Sequence, residues 1–187
     1  AAQRGHDVSL YEKEPELGGQ WRLAAAPPHK EEFRELIDHQ FHQLATLGVK
    51  IRLGQAASVS MVEEEKPDVV IVATGALPAG ASESDTKSVK VVTAWDVLRH
   101  NCEPGDRVLV VGGGSVGLET AHFLAARGKR VTVMEMTANI GADMGETIRW
   151  HLLNALRNRQ VRILRSTRLK EVNERGIVVI RSDSEEV

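Results

Sequence analysis

Cysteine, aromatic residues, net charge and long apolar runs are all scarce in this chain. There is one cysteine, Cys102, among 187 residues. An intrachain disulfide is therefore impossible, no dithiol centre can form, and a reduced, cytoplasmic setting is expected. A formal charge of -2 gives no electrostatic reason to expect nucleic acid or an anionic membrane as a partner. The longest apolar stretches, such as Val69 to Ala73, are strand-sized and too short to span a bilayer. The chain opens Ala1-Ala2-Gln3-Arg4-Gly5 without a basic-then-apolar leader, so no secretory signal is visible and the start reads as a cut. The hydrophobic fraction of 42% and charged fraction of 27% are those of a soluble domain with a core of its own.

What is present is a repeated change of apolar period. Val8 to Tyr11 reads as a strand, Lys30 to Leu47 as an amphipathic helix, and Val49 to Leu53 and Val69 to Ala73 as further strands. In the helix Phe33, Leu36, Ile37, Phe41 and Leu44 share one face. Residues 76–88, rich in Ala, Gly, Ser and Asp, read as a linker. A short helix capped by Thr93 and a turn at 103–106 come next. Arg107 to Val111, Ser115 to Arg127 and Arg130 to Met134 then form strand, helix and strand, one βαβ unit. Thr147 to Arg159 is helical by its Ile148, Leu152, Leu153 and Leu156 spacing. Val161 to Leu164 and Ile177 to Ile180 read as strands before a polar tail.

Shifting the chain against itself by 123 residues places Arg4-Gly5 on Arg127-Gly128, Val8 on Val131, Glu12 on Glu135 and Leu17-Gly18 on Ile140-Gly141. Each copy reads as a helix end, a glycine stop, a strand and an acid at the strand's carboxyl end. The expected fold class is therefore α/β, with Rossmann-like doubly wound parallel sheets in two dinucleotide-binding units. The glycine turn of the first copy would fall before Ala1, so that copy is expected to be truncated. Residues 1–92 are the expected first, partial dinucleotide-binding part and 93–187 the expected second.

The second copy carries the chemistry. Val108 to Val111 leads into Gly112, Gly113, Gly114, Ser115, Val116 and Gly117 and then a helix. In that context Gly112 permits the tight turn, Gly114 lets the main chain approach a pyrophosphate, and Gly117 lets the helix pack on the strand. Amides at the helix start favour an anion. Glu135, 21 residues after Gly114, can accept from the adenosine ribose hydroxyls, and Glu12 has the same place in the first copy. For Leu17-Gly18-Gly19-Gln20-Trp21, close backbone approach to a ligand and a glycine loop without one remain equal readings. His39 and His42 have metal-pair spacing but no third ligand nearby, and read as solvated helix surface.

Leu10-Tyr11-Glu12-Lys13, Leu17-Gly18-Gly19-Gln20, Pro27-Pro28-His29-Lys30-Glu31-Glu32, Ala73-Thr74-Gly75 and Gly112 to Gly117 with Glu119 occur in one order. That order resembles the C-terminal half of the NADH:flavin oxidoreductases related to old yellow enzyme, the enoate reductase and 2,4-dienoyl-CoA reductase group. The resemblance implies that this half binds FAD and takes hydride from NADH, while an N-terminal barrel domain carries FMN and an iron–sulfur cluster and reduces the substrate. It implies FAD contacts at Glu12, Lys13, Gly19, Gln20, Trp21, Ala57, Thr74 and Gly75. The 187 residues alone are then expected neither to hold FAD tightly nor to turn over. The rival reading is a non-redox module that binds ADP, as in the trimethylamine dehydrogenase group. A disulfide reductase is disfavoured by the lone cysteine.

Overall fold

A computed structural model describes residues 1–78 and 89–181. The chain divides into two compact units, one of Ala1–Ala25 and His29–Leu77, the other of Ala26–Pro28 and Pro78–Val187.

In the first unit β1 (Ser9–Glu12) pairs in parallel with β2 (Lys50–Leu53). Between them lie a short helix α1 (Gly19–Ala24) and the amphipathic helix α2 (Glu32–Thr46). Of the α2 apolar face only Ile37 is buried, while Leu36 and Phe41 stay exposed. Trp21 on α1 meets Phe33 edge to face at 5.1 Å between ring centroids, a contact that packs the two helices. A third helix, α3 (Val59–Glu65), is capped by the Ser58 hydroxyl, which accepts from the Met61 amide.

One expectation fails in this unit. Residues 69–73 form no strand, and Val69, Ile71 and Val72 are each at least three-quarters exposed. The reason is a missing neighbour: among the described residues no strand lies beside them, and an extended segment becomes a strand only when its amides and carbonyls enter a ladder.

The second unit begins with α4 (Ala94–Leu98), where the Thr93 hydroxyl accepts from the Asp96 amide as its sequence position predicts. The βαβ unit follows as β3 (Arg107–Val111), α5 (Ser115–Ala126) and β4 (Arg130–Met134), and β5 (Arg162–Leu164) extends the parallel sheet in the order β3-β4-β5. Helix α5 buries Leu118, Ala121, Phe123 and Leu124, which with Val131, Val133, Met134 and Leu156 form the core. Leu156 comes from α6 (Glu146–Asn158). An antiparallel hairpin, β6 (Thr167–Asn173) with β7 (Gly176–Arg181), ends the described chain. The linker expected at 76–88 lies mostly outside the described residues, and the polar tail wholly so.

The internal repeat is reproduced in the main-chain pairing at the ends of the strands. Ser9 pairs with Lys50 and Thr132 with Arg162. Beyond the paired strands, Gln55 N–H donates to Glu12 O and Gly54 N–H to Glu14 O. In the second unit Thr167 N–H donates to Glu135 O and Ser166 N–H to Thr137 O in the same pattern. Gly5 and Gly128, and Gly18 and Gly141, all hold left-handed backbone at matching positions. The paired strands are 41 residues apart in the first copy and 30 in the second; the extra length of the first copy holds α1.

Candidate dinucleotide site

The end of β3 turns through Gly112, whose φ of 102° lies in the left-handed region that other residues avoid. The turn then packs against its own neighbours. A Cβ on Gly117 would stand 1.9 Å from the Gly112 carbonyl oxygen, and one on Gly113 would stand 2.1 Å from Ile140 Cδ1. Gly117 is thus required by close approach of backbone, whereas a side chain at Gly113 would have to displace the buried Ile140 and the Glu135 side chain. Val116 is half exposed, and Gly114 is the N-cap of α5 in extended conformation.

Glu135 follows the last residue of β4 and clasps the turn. Its Oε2 accepts from the Gly113 amide and its Oε1 from the Thr137 amide, each at 2.8 Å. Glu12 repeats half of this, with its Oε1 accepting from the Glu14 amide at 2.9 Å. The amides of Thr137 and Gly113, in that order of effect, hold the Glu135 carboxyl below the usual 4.5 because they favour the charged form. The sign of the consequence is fixed. A carboxylate with a depressed folded pKa stabilises the fold fully above its unfolded value, and loses that contribution as pH falls through the folded one. Glu135→Gln is therefore expected to lower the melting temperature at neutral pH, with the deficit closing as pH falls below about 4.5. Melting curves taken from pH 7 downward check this, and a pH-independent deficit contradicts it.

A third carboxylate, which the sequence did not flag, sits at the same turn. Gly114 has no side chain with which to cap α5, and Asp143 does so from the loop after β4. Its two oxygens lie 3.0 and 2.9 Å from the Ser115 amide, and Oδ2 accepts from the Ser115 hydroxyl at 2.7 Å. The hydroxyl and then the amide of Ser115 hold the Asp143 carboxyl below its usual 3.8. Only a fold could reveal this partner, since 28 residues separate the two.

The turn fits a dinucleotide pyrophosphate by the chemistry of these groups. A carboxylate already occupies the anion position at the helix start, where the amides and dipole favour negative charge. The basic residues around the start of β4 are engaged away from the turn. Lys129 Nζ lies 2.9 Å from Glu103 and 3.1 Å from the Pro104 carbonyl oxygen, and the Arg127 guanidinium sits over the Phe123 ring at 3.5 Å.

In the first unit the residues implied for FAD are only partly assembled. Gln20 Nε2 donates to Ala76 O at 3.3 Å and lies against Gly75, which brings Gln20, Thr74 and Gly75 to one place. Gly18 is packed on Ile37, whereas open space surrounds the Cβ position of Gly19. Gly18 is therefore held by packing, and Gly19 is not. Lys13, Trp21 and Ala57 are exposed. Glu12 holds in this unit the place that Glu135 holds in the second, at the carboxyl end of its strand with one oxygen accepting from the amide two residues on. His39 and His42 lie on the exposed side of α2, where His42 Nδ1 is 2.7 Å from Asp38 O.

A family model described as pyridine nucleotide-disulphide oxidoreductase matches residues 1–187. A bilirubin reductase of Mediterraneibacter gnavus is 38% identical over 95% of this chain and 28% of its own length. An NADH oxidase of Thermoanaerobacter brockii is 36% identical over 96% of this chain and 28% of its own length. Among solved structures, a 2-naphthoyl-CoA reductase matches 100% of this chain with a TM-score of 0.92 at 28% identity, again over 28% of its own chain. The chain thus spans less than a third of the length of these relatives. No helix among the described residues is long and apolar enough to cross a membrane.

Proposed function

The chain belongs to the pyridine nucleotide-disulphide oxidoreductase family, and from that premise we propose that it is the nucleotide-binding part of an NADH-dependent flavin oxidoreductase. Residues 93–187 hold NADH and residues 1–92 hold part of the FAD site. The observation that carries this reading is the glycine turn at the head of α5, closed by Gly117 and clasped by Glu135. When bound, the nicotinamide supplies a hydride and the flavin accepts it. This chain's residues bind and orient. Gly112 to Gly117 bring main-chain amides to the pyrophosphate, and the Glu135 carboxylate accepts from the adenosine ribose while keeping its bond to the turn. Glu12, Lys13, Gly19, Gln20, Trp21, Ala57, Thr74 and Gly75 contact the flavin dinucleotide. The enoate reductase resemblance and the two reductase relatives support an organic acceptor reduced elsewhere, in a barrel with FMN and an iron–sulfur cluster. The lone cysteine supports a reducing, cytoplasmic setting.

The test uses the intact protein. Denaturation is expected to release FAD, and anaerobic NADH is expected to bleach the flavin absorbance of the native enzyme. A protein that releases ADP and no FAD, or whose flavin stays oxidised under NADH, overturns the proposal.

A further inference from the structure

We infer that Asp143 is an internal competitor for the pyrophosphate position, a carboxylate that holds the head of α5 while the site is empty and must leave before a dinucleotide can bind. This rests on the reading of Gly112 to Gly117 as the NADH site. The geometry gives Asp143 the place a phosphate oxygen needs: both its oxygens are within 3.0 Å of the Ser115 amide, and one also takes the Ser115 hydroxyl. A Cβ built on Gly114, the residue whose lack of a side chain opens the approach, would meet those oxygens at 3.2 and 3.3 Å. The face of the turn toward which a pyrophosphate would come is therefore covered by this carboxylate. The Ser115 hydroxyl has one proton to donate, and a phosphate arriving beside a retained carboxylate would meet like charge.

The carboxylate, and not the loop that carries it, is the part able to move. Gly141 N–H donates to Gly113 O at 2.7 Å, which ties the loop to the glycine turn just before Asp143, and Met144 N–H donates to Gly141 O at 3.1 Å, which closes a tight turn around Asp143. Asp143 itself is exposed, and rotation about its side-chain bonds releases Ser115 into solvent or onto the ligand. The contact has two effects of opposite sign. It stabilises the empty protein as a helix cap does, and it weakens the coenzyme by the free energy of breaking that cap.

Asp143→Asn keeps the size of the side chain and removes its charge. In the intact protein, calorimetric titration of the variant is expected to show NADH and ADP-ribose binding about tenfold tighter than wild type, with adenosine, which has no phosphate, unchanged. The melting temperature of the variant is expected to fall without ligand and to match wild type at saturating ADP-ribose, where phosphate replaces the carboxylate in both. Glu135→Ala, measured alongside, is expected to weaken NADH. If Glu135→Ala weakens NADH while Asp143→Asn leaves it unchanged or weaker, the competitor role is refuted and the NADH site stands. If neither substitution moves NADH affinity, the site reading fails and the inference falls with it.

Discussion

Gly117→Ala is expected to cost about 3 kcal/mol of stability, a fall of roughly 10 °C in Tm, and to cut NADH affinity by more than about tenfold. The new methyl would stand 1.9 Å from the Gly112 carbonyl oxygen and 3.5 Å from Val110 Cγ1. The first of these is a main-chain atom and cannot rotate away. Relief requires the start of α5 to lift from the end of β3, which spoils the core beneath Leu118 and moves the Ser115 amide together. Gly105→Ala is the matched control, because a Cβ there meets nothing within 4 Å and the change should stay within about 0.5 kcal/mol. Thermal melts of the two variants, with an NADH titration of each, decide the matter. A Gly117→Ala protein that melts with the control would mean that the close approach is not what fixes this turn.

The second large effect is coenzyme choice. NADH is expected to bind more tightly than NADPH by roughly 2–4 kcal/mol, on the order of 30- to 1000-fold, because Glu135 would face a 2′-phosphate with like charge. The residues that could compensate are badly placed. Met136, Thr137, Ala138 and Asn139 after β4 carry no cation, and Arg127, Lys129 and Arg130 stand at the other end of that strand, where Arg130 pairs with Arg107. Arg165, beyond β5, lines a depression with Leu153 and Arg157 of α6. Glu135→Ala should narrow the ratio from both sides, weakening NADH through the lost ribose acceptor and relieving NADPH of repulsion. Dissociation constants of both coenzymes for both proteins test it. Equal affinities in the wild type, or a ratio that Glu135→Ala does not move, would show that coenzyme choice resides elsewhere.

The parts of this fold legible from sequence are those whose partners are close along the chain. β3, α5 and β4 are legible because two strands and the helix between them satisfy one another, so the glycine pattern, the apolar run and the acid all report one local object. Thr93 is legible for the same reason, its hydroxyl bonding three residues on. Helix α1 is not, being six residues long and beginning at a glycine. β6 escapes because Thr167-Arg168-Leu169-Lys170-Glu171 has charged side chains where an apolar alternation would be sought, and a bulge breaks its register between Leu169 and Glu171. Asp143 escapes because nothing near it in sequence hints at Ser115. Residues 69–73 fail in the opposite sense: their composition is that of a strand, but a strand is a property of a pair, and composition describes one partner only.

That run has a practical side. Val69-Val70-Ile71-Val72 is β-branched throughout, uncharged and free of proline, and half to four-fifths of each residue's surface is open to water. Segments of this make-up start self-association when chains meet at high concentration. Pro67 and Asp68 stand before it as gatekeepers, but the far side offers only Ala73 and Thr74. The yield and shelf life of this span produced by itself would therefore depend on four residues remote in sequence from the glycine turn, and a lysine at Val70 or Val72 would be the first change to make for a preparation that precipitates.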